Sequence, residues 1–136
     1  MRAPDGPVWT GVVERPLRLG DVHAFLSDER AGGTCVFVGT SRRWTGPVET
    51  DLLTYEAYAP MAEAELARLA DEAVRRWGAV RVAILHRLGA VPPPEASVVV
   101  GAACAHRSEA FAACRWAIDT LKETVPIWKT EHAPDA

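Results

Sequence analysis

The stretch from Pro60 to Gly78 constrains the fold more than any other part of the chain. Ala62, Leu66, Leu69, Ala70, Ala73, Val74 and Trp77 recur at three- and four-residue steps, the period of a helix with one apolar face. Pro60 suits the first helical turn, where its missing N–H has no partner to lose. Gly78 is a natural stop. Such a stripe must be buried against a second layer, and the neighbouring sequence offers strands for it. Val80 to His86 (VRVAILH) is one. Ala96 to Ala105 (ASVVVGAACA) is a longer apolar one, with a glycine inside that suggests a bulge.

The remaining elements follow the same logic. Residues 1–16 hold Pro4, Gly6, Pro7, Gly11 and Pro16 and read as an irregular lead-in with one strand, Val8 to Val13. Asp21 can cap a short helix carrying Val22, Phe25 and Leu26 on one face, ended by Gly32-Gly33. Thr34 to Gly39 (TCVFVG) reads as a buried strand, Thr40 to Thr50 as a polar loop, and Asp51 to Tyr58 as a strand with Leu53 and Tyr55 on one side. Pro92-Pro93-Pro94 makes a rigid turn. Ser108 offers an N-cap, with Glu109 at the positive end of the helix dipole. Phe111, Cys114, Ile118 and Leu121 form that helix's buried stripe, and Pro126 ends it, because the residue before a proline avoids helical angles. Ile127 to Glu131 is extended and 132–136 is a tail. The order of elements predicts a single α+β domain, residues 1–136, with largely antiparallel sheets.

Bulk properties exclude several classes. A net charge of -3 argues against a nucleic-acid-binding domain, which carries an excess of Lys and Arg. No run approaches the roughly 18 apolar residues of a membrane span, and the first twenty residues lack the apolar core of a secretion signal, so a cytoplasmic location is expected. Cys35, Cys104 and Cys114 are odd in number and form no CxxC pair, which points away from a disulfide framework or structural zinc. No metal-ligand cluster is visible.

Four constellations could carry chemistry. His106-Arg107-Ser108 lies where a strand ends and a helix begins, a place whose free N–H groups and dipole attract anions. Arg107 adds a planar fork for phosphate or carboxylate. The alternative is a surface arginine and a half-buried histidine beside an ordinary cap. Lys122 and Lys129 flank the bend at Pro126 and can converge on one pocket, where a lysine near another cation can act as base or nucleophile. The alternative is two solvated lysines, one favoured by the helix C-terminus. Arg42-Arg43 sit in the loop after TCVFVG, where a binding group is common. Cys104 and His106, two apart on a strand, point the same way and raise a Cys-His nucleophile, although a thiol in so apolar a run is usually inert. Trp44 and Trp128 lie beside these loops and could flank a flat ring.

Several segments, in this order, resemble one family. They are Val36-Phe37-Val38-Gly39-Thr40-Ser41-Arg42; Leu53-Thr54-Tyr55-Glu56-Ala57-Tyr58 with Met61-Ala62; Ile84-Leu85-His86-Arg87-Leu88-Gly89; Ala105-His106-Arg107-Ser108 with Phe111; and Leu121-Lys122 through Pro126-Ile127-Trp128-Lys129-Thr130-Glu131. Together they are similar to the large, catalytic subunits of molybdopterin synthases, over roughly Asp21 to Glu131. The resemblance implies an α/β-hammerhead-like fold and a sulfurtransferase of molybdenum cofactor biosynthesis. A small ubiquitin-like subunit would carry sulfur as a thiocarboxylate on its C-terminal glycine, and two transfers would convert cyclic pyranopterin monophosphate into the molybdopterin dithiolene, with no further cofactor and no metal. It implies a heterotetramer with a homodimer of large subunits at its centre.

By the same resemblance Lys122 is the essential catalytic lysine beside the incoming tail and Lys129 the second active-site lysine. Thr40, Ser41 and Arg42 form a substrate-binding loop. His106 and Arg107 form an anion-binding pair that reaches across the dimer, and Thr130 and Glu131 help line the pocket. Two departures stand out. Pro93-Pro94-Glu95 replaces the family's Pro-Gly-Glu or Pro-Gly-Asp turn, so the turn is stiffer. The sequence ends at Ala136, where relatives continue with a basic segment that gives the substrate pocket an arginine. That departure leaves a non-catalytic anion- or partner-binding module of the same fold as one alternative, and the Cys104–His106 pair leaves an unrelated hydrolase as another.

Overall fold

The computed structural model describes residues 2–134. Along the chain run β1 (Val8–Val13), α1 (Leu19–Leu26), β2 (Gly33–Thr40), β3 (Trp44–Thr45), β4 (Val48–Glu49) and β5 (Leu52–Ala57). Then come α2 (Ala59–Trp77), β6 (Arg81–Arg87), β7 (Gly89–Val91), β8 (Ala96–Cys104), α3 (Arg107–Thr124) and β9 (Ile127–His132). The architecture is α+β, as expected. A four-stranded sheet has the order β1-β6-β8-β2, a three-stranded sheet the order β7-β5-β9, and β3-β4 make a small hairpin. Every pairing is antiparallel except β1 with β6.

β8 organises the larger sheet. It lies between β6 and β2, and both of its faces are covered. Val98, Val100, Ala102 and Cys104 join the α2 and α3 stripes (Leu66, Leu69, Ala73, Ala113, Ile118, Leu121) in one core. Val99 and Ala103 point the other way and pack with Val22, Phe25 and Leu26 of α1 and with Trp9. This is the period-2 alternation of a strand buried on both sides, which is why its sequence reads as unbroken apolar residues. Each fully buried aliphatic side chain contributes about 1.5–3 kcal/mol. α2 begins with Pro60 in its first turn and stops at Gly78, whose φ of 62° is left-handed, a backbone conformation that glycine adopts without strain.

The structure corrects several details. Gly101 is not a bulge. Its register with Val36 and Ala83 is unbroken, and a Cβ there would collide with the Leu26 side chain, so glycine admits α1 to the sheet. The irregularity lies instead at Gly39/Thr40. The caps are Arg18 for α1 and His106 for α3, not Asp21 and Ser108. Asp21 sits inside the first turn of α1, and the Ser108 hydroxyl donates to Glu109 at 2.6 Å. α1 ends at Leu26, before Gly32-Gly33. β2 is an edge strand with Val36 and Phe37 exposed, and Phe111 is exposed rather than part of the α3 stripe. Ala110, Ala113 and Ala117 face inward instead, alongside the expected Cys114, Ile118 and Leu121. β7 and the β3-β4 hairpin were not foreseen.

Candidate active site

Pro126 ends α3 and turns the chain into β9. α3 ends at Thr124, Val125 is extended, and β9 begins at Ile127. The bend puts Lys122, in the last turn of α3, and Lys129, on β9, into the wall of one cleft of about 260 Å³. Its other walls are Tyr55 of β5, His86 of β6, Ser97 and Val98 of β8, and Leu121, Val125, Ile127 and Trp128. Register explains part of this convergence. Tyr55 lies opposite Lys129 across the β5–β9 ladder, and directly opposed residues share a face. Lys129 Nζ stands 3.7 Å from Glu131 Oε1, both side chains about half exposed, so the pair is a solvated contact of small energy. Thr130 is exposed on β9, opposite Thr54. Trp128 is also exposed, an uncovered aromatic at the cleft edge.

His86 is the buried titratable member of this wall. It ends the row Val82, Ile84, His86 and is 5% exposed. Its ring meets Tyr55 edge-on, centroids 5.0 Å apart. Its Nδ1 is 2.8 Å from the Arg87 carbonyl oxygen, and since a carbonyl can only accept, Nδ1 carries the proton. Burial pushes the imidazole's pKa below the ordinary 6.5, and the nearby Lys122 charge pushes the same way against the Arg87 hydrogen bond. The ring is therefore neutral at neutral pH. His86 appeared in the sequence reading only as the end of a strand. The available signal was a single imidazole closing an otherwise apolar strand.

The other predicted groups lie elsewhere. His106, Arg107 and Ser108 line an open pocket with Gly32 and Ala105, at the far end of β8 from Ser97. Eight residues of strand separate the two corners, a span of roughly 27 Å. Within one chain the structure does not bring the His106–Arg107 pair to the lysine cleft. Thr40, Ser41 and Arg42 do not line the cleft either, but they adjoin it. Gly39 pairs with Val98, and the Ser97 hydroxyl donates to the Gly39 carbonyl at 3.2 Å. Thr40 and Arg42 are exposed. Ser41 is buried, its amide donates to the Glu95 carbonyl at 2.9 Å, and its Oγ has no hydrogen-bond partner among the described residues. Arg43 is held by Asp51 at 2.9 Å.

Cys104 is fully buried in the core while His106 is exposed, and burial, then Glu109, raises the thiol's pKa. That is the environment of an inert thiol, against the Cys-His hydrolase. Cys114 is likewise buried, and burial, with Cys35 beside it, pushes its thiol up to about 12. Among the described residues no group of three or more His, Cys, Asp or Glu could hold a metal, and no helix is long and apolar enough to cross a membrane. The expected loss of a basic segment after Ala136 concerns sequence outside the described residues.

The α+β domain thus offers two places suited to anions, a cleft holding two lysines and an arginine at a helix start. Comparison gives the family: residues 12–124 match the family described as MoaE protein, and the chain belongs to that family. It is 46% identical over 121 residues to the molybdopterin synthase catalytic subunit of Nostoc sp., covering 88% of this chain and 73% of that one. The crystal structure of molybdopterin synthase from Staphylococcus aureus superposes with a TM-score of 0.87 at 37% identity, covering 93% of this chain and 92% of the other. The same fold, at 20% identity and a TM-score of 0.78, occurs in a complex of subunits 1 and 2 of the molybdopterin-converting factor of Helicobacter pylori.

Proposed function

We propose that this chain is the catalytic subunit of a molybdopterin synthase. It transfers sulfur from the thiocarboxylated C-terminus of a small ubiquitin-like subunit to cyclic pyranopterin monophosphate. The observation that carries this reading is the convergence of Lys122 and Lys129 on one cleft in a chain of the MoaE family. Attack of a thiocarboxylate sulfur on the pterin side chain builds and moves negative charge. Ammonium groups already in place stabilise that charge, or neutralise it by proton transfer. Lys122 serves at the incoming glycine tail and Lys129 beside it, with Thr130 and Glu131 on the same strand. Trp128 and Tyr55 offer flat surfaces suited to a pterin ring. The sulfur comes with the partner, so the reaction needs no further cofactor and no metal. The work is cytoplasmic.

Substrate phosphate calls for cationic clamps, and Arg42 and Arg107 are the candidates. Arg107, at the start of α3 and roughly 27 Å from the cleft by strand length, reaches a lysine cleft only if that cleft belongs to a second copy. A homodimer of large subunits inside a heterotetramer meets this need. The exposed Val36 and Phe37 on edge strand β2 and the exposed Phe111 on α3, which packs on β2, supply apolar surface for such a contact.

The test uses purified chain, thiocarboxylated small subunit and cyclic pterin monophosphate, comparing the natural protein with Lys122→Ala. Dithiolene product from the former and almost none from the latter is the expected result. Bound small subunit without product would leave a binding module. Equal product from both proteins would remove Lys122 from its role.

A further inference from the structure

The lysine cleft contains a group that neither its cationic character nor its apolar walls require. Among the ten lining side chains are two lysines, one tyrosine, one serine and His86, and no carboxylate. Glu131 stands beside Lys129. Lys122 makes no ion pair among the described residues. An ammonium at the rim of a half-apolar cleft needs an acceptor to hold it in one place, since lysine has four rotatable bonds and no fixed geometry of its own. The Ser97 hydroxyl donates to the Gly39 carbonyl and, like the Tyr55 hydroxyl, keeps lone pairs on a rotor that fixes no direction, while the Trp128 indole can only donate.

His86 answers this need by construction. Its ring is held on both sides, by the Tyr55 ring at 5.0 Å and by the 2.8 Å hydrogen bond from Nδ1 to the Arg87 carbonyl. That bond fixes the tautomer, so in the neutral ring Nε2 is a bare acceptor. It is the one side-chain nitrogen in the cleft wall that can accept a hydrogen bond. The ring meets Tyr55 from β5, and the cleft it lines also holds Lys122 from α3 and Lys129 from β9. None is a carboxylate, so only the Arg87 carbonyl bond favours the imidazolium, against burial and Lys122.

We propose that His86 is the positioning residue for Lys122: the fixed imidazole presents Nε2 as the neutral acceptor on which the Lys122 ammonium is oriented toward the reacting thiocarboxylate. The inference deepens the sulfur-transfer reading and rests on it. A neutral acceptor orients the lysine without cancelling its charge, whereas a carboxylate at the same place would bind the ammonium and offset the positive potential that the reaction uses.

Two amide substitutions separate this role from a structural one. In His86→Asn the side-chain amide can still donate to the Arg87 carbonyl from near the Nδ1 position, but nothing stands at Nε2. In His86→Gln an oxygen can reach the Nε2 position. The experiment measures kcat, KM and the pH profile of sulfur transfer for both variants, with the Lys122 Nζ resonance by NMR as a readout independent of turnover. His86→Asn should lower kcat on the order of 10- to 100-fold with little change in KM, alter the pH profile and move the Nζ resonance. His86→Gln should recover most of the rate and keep the natural resonance. If Asn is as active as Gln or better, the Arg87 bond is what matters and the proposal falls. If neither variant changes kcat or the Nζ resonance, it falls as well. Absence of product from the natural protein would overturn the sulfur-transfer reading instead. The Nζ resonance would still judge the contact, and identical resonances in the natural protein and His86→Asn would refute it.

Discussion

The two cationic corners at the ends of β8 are built in opposite ways. The lysine corner is a cleft walled by apolar side chains, with a buried, tautomer-fixed imidazole and a strand-held aromatic behind the charges. The arginine corner is open. His106, Arg107 and Ser108 are all exposed, and the first turn of α3 already has Glu109 near its positive end. Lys122 and Lys129 are themselves exposed, so both corners meet solvent, but only the first sets its charges against apolar walls, where electrostatic effects are stronger. One corner suits making and moving charge. The other suits gripping an anion, and it becomes selective only when another surface closes over it.

The largest effect that would sharpen this contrast is at the lysine corner. Lys122→Ala should cost 100-fold or more in kcat, on the order of what removing a single preorganised charge stabiliser costs, with the small subunit still bound. A sulfur-transfer assay with a parallel binding measurement checks both halves. Arg107→Ala should act mainly on KM, by about 10-fold, the scale of one charge-assisted hydrogen bond. If the arginine works in the partner's cleft, mixing Lys122→Ala with Arg107→Ala and letting subunits exchange should bring kcat/KM to about one quarter of the natural value, well above either variant alone. Half of the dimers are then mixed, and each holds one intact site. No recovery would confine each site to a single chain.

A smaller effect concerns pH. The folded-state pKa of His86 lies below the ordinary value of 6.5, so the unfolded chain takes up protons first as pH falls. The contribution is fully present above 6.5 and is lost as pH drops below it. Thermal melting of the natural protein should therefore weaken on acidification through that range, and His86→Phe should flatten this dependence. The smallest effect expected is none. Alkylation of accessible thiols should leave sulfur transfer unchanged, because Cys104 and Cys114 are buried. Loss of activity would reopen a cysteine mechanism.

The legibility of the two corners in the sequence differs for physical reasons. α2, β6 and β8 were readable because their burial is set by this chain alone, and the resulting period appears directly in Leu66, Leu69 and Ala73 or in the run of valines. The convergence of Lys122 and Lys129 was readable because Pro126 permits few backbone paths. β7 and the β3-β4 hairpin escaped because two or three residues carry no period. The exposure of Val36, Phe37 and Phe111 escaped for another reason. Their sequences look like core, and a single chain's pattern does not distinguish surface that faces its own interior from surface left for another molecule. His86 was legible only as an oddity, since its role depends on Tyr55 and Lys122, which lie 31 and 36 positions away in the chain.

β8 also has a consequence for regulation. A strand clamped on both faces and paired on both edges is among the least deformable parts of a protein, so it holds the two corners at a fixed separation. No bending within one chain can bring them together. If each site draws on both corners, a lone chain carries two incomplete halves, and competence depends on concentration. Dilution below the dimer's dissociation constant would silence the enzyme without unfolding it, and a cell making too little of the chain would lose activity out of proportion to the shortfall.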